Sequence, residues 1–228
     1  MREGDGWLYC RMRWIVAVIA IAVMGQAGIE AQRRSPARKP AQPAAPALKK
    51  EPARVTCPEP LGRGVKTGGS FCFVLAGMDP EQGVRVAIPP HAGPATLTFL
   101  LHNRHTYSEE DMSRGRRFGR YMAIVGVLTM GGDLLGRGAV ASEFRGADDL
   151  YDRVGGGAGP TGLKAVAPIG AERVYVTIPP EVTEVSILGE TIDAMTAAGR
   201  ETTARPGSPV AILSDVAVEY RPAPARRR

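Results

Sequence analysis

The sequence predicts an all-β fold, a single β-sandwich of about eight strands between Val55 and Pro222. Short runs rich in valine, isoleucine, leucine and threonine recur through this region, and glycine or proline interrupts them. This spacing of short strands and turn residues is typical of sandwiches and barrels. Several runs also alternate apolar and polar residues, which is the period of a strand with one buried face.

Eight runs are the strand candidates. The run at 95–102 alternates, with leucine and phenylalanine on one face. The run at 120–129 is apolar on both faces, as expected of a central strand, and the glycines of 134–144 indicate a bulge. In chain order the candidates are residues 70–77, 83–90, 95–102, 120–129, 134–144, 172–180, 183–190 and 209–222.

The breaks between the strands carry corner, helix and loop signals. Ile-Pro-Pro occurs at 88–90 and again at 178–180. Because proline cannot donate a hydrogen bond to a neighbouring strand, each motif predicts a corner where the chain leaves one sheet. Short helices are predicted at 146–154 and 190–199, and a glycine-rich loop at 155–162.

Residues 1–31 have the order of a secretory signal peptide: basic residues, an apolar run and then small residues. The apolar run Trp14–Met24 is shorter than the roughly 20 residues that span a bilayer. Cleavage after Ala27 or Ala31 would give an exported protein, periplasmic or extracellular. An uncleaved segment reaching Ile29 would instead be a signal anchor in the inner membrane.

Two basic segments flank the predicted domain of residues 55–222. Residues 32–54, rich in proline, alanine and basic residues, are predicted to be a disordered tether, and residues 223–228 a basic tail. The net charge is +6 over 32–54, −4 over 55–220 and +4 over 221–228. The domain itself therefore lacks the basic face of a nucleic-acid-binding protein, and no nucleic acid is expected as a partner. The tails are expected to contact anionic envelope surfaces weakly, or only to keep the protein soluble.

Two cysteines, Cys57 and Cys72, lie beyond the signal segment. An even pair in an exported protein predicts a disulfide, and closing a loop of this length contributes about 3 kcal/mol in the chain-entropy model. Two free thiols are the alternative in a reducing compartment.

The last strand candidate, ILSDVAVEY at 212–220, resembles the closing strand of jelly-roll β-sandwiches of the carbohydrate-binding-module and galactose-binding-like kind. In those families an aspartate at this place sometimes ligates a structural calcium ion, so the resemblance implies Asp215 as a candidate ligand. The predicted single sandwich is accordingly of the jelly-roll kind, with an immunoglobulin-like sandwich as the alternative.

The stretch LHNRHTYSEED, residues 101–111, holds two of the three histidines. A helical turn beginning at His105 would bring Glu109 beside it at i and i+4, and His102 would supply a third zinc ligand. The alternatives are a charged loop facing water and a loop that contacts a ligand. The arginines that follow suit bidentate recognition of anionic groups. The candidate ligand contacts of this region are His102, Arg104, His105, Tyr107, Arg116, Arg117 and Tyr121.

The chain shows none of the short catalytic motifs of hydrolases, nucleotide-binding proteins or metalloproteases. We therefore expect a non-enzymatic binding or structural module of the cell envelope, whose partner is a glycan, an envelope polymer or a protein. No cofactor is expected beyond a structural calcium or zinc ion. The alternatives are a small metal-dependent hydrolase using His102, His105 and Glu109, and an envelope assembly factor anchored by an uncleaved N-terminus.

Overall fold

The computed structural model describes residues 46–104, 113–115, 118–155, 163–166, 171–197 and 199–224. These residues form an all-β fold of two antiparallel sheets, as the sequence predicts. The strands are β1 Lys49–Pro52, β2 Arg54–Thr56, β3 Pro60–Gly64, β4 Ser70–Leu75, β5 Val84–Ala87, β6 Ala95–Asn103, β7 Gly119–Thr129, β8 Leu134–Phe144, β9 Asp152–Gly155, β10 Leu163–Val166, β11 Glu172–Ile178, β12 Glu184–Thr196, β13 Gly199–Glu201 and β14 Pro209–Tyr220.

Sheet A has the strand order β10-β9-β3-β4-β14-β6-β11, with β1 also paired to β14. Sheet B has the order β2-β5-β12-β7-β8, with β13 also paired to β12. Four pairings are nested along the chain: β4 with β14, β5 with β12, β6 with β11 and β7 with β8. The chain therefore runs as a ribbon whose first half pairs with its second half in reverse order.

The main core fills the space between the two sheets. Alternate residues of β6, among them Leu97, Phe99 and Leu101, are fully buried there, and Ala123 and Val125 of β7 face them from sheet B. Each buried leucine or phenylalanine side chain contributes roughly 1.5–3 kcal/mol. A second, smaller cluster covers part of the outer face of sheet A and consists of Leu61, Phe71, Val154 and Ile212, with Phe73 and Tyr151 packed against it.

Both Ile-Pro-Pro motifs are corners at which the chain changes sheets. The first lies between β5 of sheet B and β6 of sheet A, and the second between β11 of sheet A and β12 of sheet B. The His91 ring joins the corners, because its Nδ1 lies 2.8 Å from the carbonyl oxygen of Pro89 and its Nε2 3.2 Å from that of Pro179. The prediction from proline placement is confirmed.

Glycines let the edge strand of sheet B approach the edge strand of sheet A. A Cβ atom added at Gly138 of β8 would lie 2.7 Å from Cγ2 of Val174 in β11. One added at Gly136 would lie 3.2 Å from Cγ1 of Val176. The absent side chains of β8 therefore make room for the valines of β11, and this pair of strands closes one side of the core.

The structure corrects the predicted end of the tether. Residues 49–52 pair with β14 and residues 54–56 with β5, although the sequence placed residues 49–52 and Arg54 within the disordered segment 32–54. The composition of this segment is polar, but its backbone supplies the hydrogen bonds that β14 and β5 need. The Tyr220 hydroxyl also donates to Glu51 Oε1 at 2.7 Å. The predicted disulfide between Cys57 and Cys72 is present and ties this segment to β4.

The two predicted helices are wrong. Residues 190–196 continue β12, with Ile192 and Ala194 in the core and Asp193 and Met195 on the outer face. The segment 146–154 instead holds a single 3-10 turn, Ala147–Asp149, followed by β9. None of the helical segments within the described residues is long and apolar enough to cross a membrane.

Candidate functional site

A groove of about 840 Å³ crosses the outer face of sheet B. Two rows of cross-strand neighbours form its floor. One row runs from Asp193 through Met122 to Ala141, and the other from Met195 through Arg120 to Glu143. Residues from three neighbouring strands, β12, β7 and β8, therefore share one surface, as side chains in register on one face of a sheet must.

Three arginines line this groove, which we call the sheet B groove, and two of them are paired with carboxylates. Arg200 Nη2 lies 2.8 Å from Asp193 Oδ2, and Arg145 Nη2 lies 2.8 Å from Glu143 Oε2. Arg120 has no ion pair within the part of the chain that the structure describes. Of the three groove arginines, Arg120 is therefore the one without an ion pair to a described residue.

Two arginines lower the pKa of the Asp193 carboxyl. The hydrogen bond from Arg200 and, to a smaller extent, the positive charge of Arg120 hold its pKa below the ordinary value. Asp193 is therefore ionised at neutral pH, and its negative charge interacts with the guanidinium groups of both Arg200 and Arg120.

Methionine supplies the apolar part of the sheet B groove. Met122 is 45% exposed and Met195 is 42% exposed, whereas the one aromatic residue among the described groove residues, Tyr121, is only 8% exposed. Burial raises the pKa of the Tyr121 hydroxyl, which the charge of Arg104 opposes. The groove thus offers flexible thioether side chains rather than a flat aromatic ring.

The predicted ligand contacts other than His102 fall into three groups, the last of which is given together with the predicted zinc ligand Glu109. Tyr121 lines the sheet B groove but is mostly buried. Arg104 forms an ion pair with Glu201 of β13. His105, Tyr107, Glu109, Arg116 and Arg117 lie outside the described residues, and their roles stay predictions.

His102, also a predicted ligand contact, is fully buried, and its ring packs in the cluster on the outer face of sheet A. Its Nε2 lies 2.7 Å from Ser214 Oγ, and its ring centroid lies 4.8 Å from that of Tyr151 and 5.6 Å from that of Phe71. Burial, and next the positive charge of Arg173, lowers the pKa of His102 to about 4. The imidazole is therefore neutral at pH 7.

Asp215, which the jelly-roll resemblance implied as a calcium ligand, forms an ion pair with Arg173. Arg173 Nη1 also donates to the Asp215 carbonyl oxygen at 3.3 Å. The described residues contain no group of three histidine, cysteine or acidic side chains that could hold a metal ion. In this structure His102 contacts Ser214, and Asp215 pairs with Arg173.

Sequence reasoning missed most of the groove residues. Met195 and Asp193 were assigned to a helix, and the segment 120–129 was predicted to be apolar on both faces. The alternation Arg120, Tyr121, Met122 was the available signal, since it places the first and third side chains on one face. The partners on β8 and β12 depend on strand register, which a single sequence does not specify.

No family model matches the sequence, and no curated protein matches it either. Among solved structures, the chain is similar to the catalytic domain of GH87 alpha-1,3-glucanase in complex with nigerose, at 9% identity and a TM-score of 0.26. The match covers 81% of this chain and 30% of the glucanase chain, and a variant of that glucanase domain gives the same values. The chain thus spans less than a third of that structure, and a likeness this low bears on neither fold nor function.

Proposed function

We propose that the chain is an exported, non-enzymatic jelly-roll module of the cell envelope. We propose further that its sheet B groove binds an extended segment of another protein. The observation that carries the proposal is the composition of the groove: two half-exposed methionines and three arginines, with no lysine among the described lining residues.

The methionines and arginines of the sheet B groove, though not its acidic residues, are of types common at protein interfaces. Methionine and arginine are enriched where proteins meet and lysine is depleted, and methionine adapts its shape to varied partners. Sugar-binding surfaces instead use exposed aromatic rings for stacking, and the described groove residues present none. A protein segment is therefore favoured over a glycan. The unpaired Arg120 favours a carboxylate in that segment.

The nested pairing of the strands supports the jelly-roll assignment. In a jelly roll, a ribbon pairs its first strand with its last and its second with its next to last, then rolls into two sheets. The eight strands β4, β5, β6, β7, β8, β11, β12 and β14 follow this scheme. The remaining short strands extend the two sheets at their margins.

The disulfide between Cys57 and Cys72 supports export, since such bonds persist in oxidising compartments. The proposed location is periplasmic or extracellular, with residues 1–31 as the targeting signal. The mass of the mature protein tests this proposal. A chain beginning after Ala27 or Ala31 indicates cleavage, and an intact N-terminus indicates an anchored assembly factor.

Site-specific photo-crosslinking in the expressing cells tests the binding face. A photoreactive amino acid is placed at Met195 in the full chain and, in a matched control, at Tyr175, which is 67% exposed on a strand of sheet A. We expect a discrete adduct from position 195 that contains peptides of a second protein, and none from position 175. Equal adducts at both positions, an adduct of two copies of this chain, or no adduct at 195 would contradict the proposal.

A further inference from the structure

A cleft of about 750 Å³ opens in sheet A, where β14 changes its neighbour. On one side, β14 pairs first with β4 through Leu213 and then with β1 from Ala217 onward. The residues between, 214–216, make one backbone contact on that side, from the Ala53 N–H to the Val216 carbonyl oxygen at 2.9 Å. The cleft therefore lies at a split in sheet A, where the pairing of β14 with β4 ends and its pairing with β1 has not yet begun.

Asp215 lies at this split, between the residues of β14 that pair with β4 and those that pair with β1. This residue has φ +49°, the one left-handed non-glycine backbone among the described residues, and the pairing with β6 shifts register there. Arg173 binds both the Asp215 carboxylate and its carbonyl oxygen. Backbone strain of this kind persists only where surrounding contacts fix it and often accompanies binding sites.

The buried His102 determines which way the Ser214 hydroxyl donates. His102 Nδ1 has no hydrogen-bond partner in the described part of the chain. A buried N–H without an acceptor is rarer than a buried lone pair without a donor, which places the proton on Nε2. Nε2 then donates to Ser214 Oγ across 2.7 Å, so the hydroxyl of Ser214, which lines the cleft, keeps its own proton for another acceptor.

Other residues give the cleft one positively charged side chain and apolar walls. Arg63 lines the cleft, is exposed, and has no ion pair with any described residue. Phe71, Tyr151 and the disulfide cysteines Cys57 and Cys72 also line it. Small-molecule sites commonly have volumes of about 300–1,000 Å³ and combine apolar walls with a few polar groups.

We propose that this cleft binds a small organic carboxylate with an apolar body. Arg63 pairs with the carboxylate, Ser214 donates its hydroxyl proton to an acceptor on the ligand, and the aromatic and disulfide walls enclose the apolar part. The site is separate from the sheet B groove and does not depend on it. His102 acts as a positioning residue, since it fixes the direction of the serine hydroxyl without reaching the ligand.

Calorimetric titration of the full chain tests the site with two probes, phenylacetate and its neutral analogue phenylacetamide. Phenylacetate is expected to bind, and Arg63→Gln is expected to weaken it about tenfold while leaving phenylacetamide unchanged. Ser214→Ala is expected to weaken both probes. Arg205→Gln, at an exposed arginine outside the cleft, serves as the matched control.

Two results would overturn the proposal. One is the absence of phenylacetate binding to the wild-type chain. The other is an equal loss with Arg205→Gln, which would show general attraction to positive charge. Nuclear magnetic resonance of the His102 ring nitrogens adds a readout that does not depend on affinity. A proton on Nδ1 rather than Nε2 would refute the assigned direction of the Ser214 hydroxyl.

Discussion

Single residues with buried polar groups decide much of the local structure. His102 is held neutral between two aromatic rings, and the Asp152 carboxylate organises the loop after β3. The backbone N–H groups of Lys66 and Thr67 donate to Asp152 at 2.8 and 2.9 Å. The backbone of the glycine-rich stretch 62–70 thus binds the carboxylate of Asp152. The order of residues within this stretch does not predict that interaction.

Acidification should destabilise the protein through His102. Its pKa is about 4 when folded and 6.5 in the reference state, so the unfolded chain binds more protons between these values. Stability is therefore full above pH 6.5 and falls as the pH drops toward 4, by about 3 kcal/mol from this residue. Urea unfolding at several pH values should show a smaller fall for His102→Gln than for the wild type. Parallel curves for the two proteins would rule out this role.

Removing the charge of Asp152 should loosen the loop at 64–70. Burial alone would raise the pKa of this carboxyl, but hydrogen bonds from the Thr67 hydroxyl and from three backbone N–H groups outweigh it and lower the pKa. We expect Asp152→Asn to reduce the free energy of unfolding by about 3 kcal/mol and to speed hydrogen exchange at Lys66. The exposed Asp148→Asn is the control and should change neither. A wild-type unfolding curve for Asp152→Asn would contradict the assignment.

Individual strands differ in how well the sequence predicts them. Long strands with alternating or continuous apolar residues, such as β6, β7 and β14, were predicted with bounds within a few residues. Short polar strands such as β1 and β2 were missed, because their stability comes from backbone pairing with neighbours rather than from their own side chains. The second half of β12 was mistaken for a helix, since its residues carry no strong β signal until they pair with β7.

The contact between the edge strands β8 and β11 should tolerate no added side chain at Gly138. A Cβ there meets two Val174 methyl groups at 2.7 and 3.0 Å, so Gly138→Ala should reduce the free energy of unfolding by about 1–3 kcal/mol. Gly146→Ala, which meets no atom within 4 Å, is the control. Adding Val174→Ala should recover part of the loss, since the two sites are coupled. Additive losses in this double-mutant cycle would argue against the close fit.

At the scale of the whole molecule, the sequence predicted the fold class, the corners and the disulfide. It did not predict the sheet B groove or the cleft in sheet A. The proline corners and the cysteine pair are local signals that one sequence carries by itself. The sheet B groove brings together Arg120, Glu143 and Asp193, which are far apart in sequence and meet only through strand register. The cleft in sheet A depends on β14 exchanging one neighbour for another, which no local pattern encodes.

The disulfide should stabilise the whole domain, because it ties the segment before β3 to β4 in the core. Its two cysteines are 15 residues apart, and the double variant Cys57→Ala, Cys72→Ala should lose about 3 kcal/mol in the free energy of unfolding. Wild-type protein with reductant should behave as the variant does. A reductant effect on the variant itself would point to another cause.

The central claim is that the sheet B groove is the face that binds a partner, with Arg120 as its unpaired charge. The most direct measurement is the yield of the photo-crosslinked adduct from position 195 when Arg120 is changed to glutamate. We expect Arg120→Glu to lower the yield by about fivefold or more, with an unchanged melting temperature, while Arg205→Glu leaves the yield at the wild-type level. An unchanged yield with Arg120→Glu, or an equal loss with Arg205→Glu, would contradict the claim.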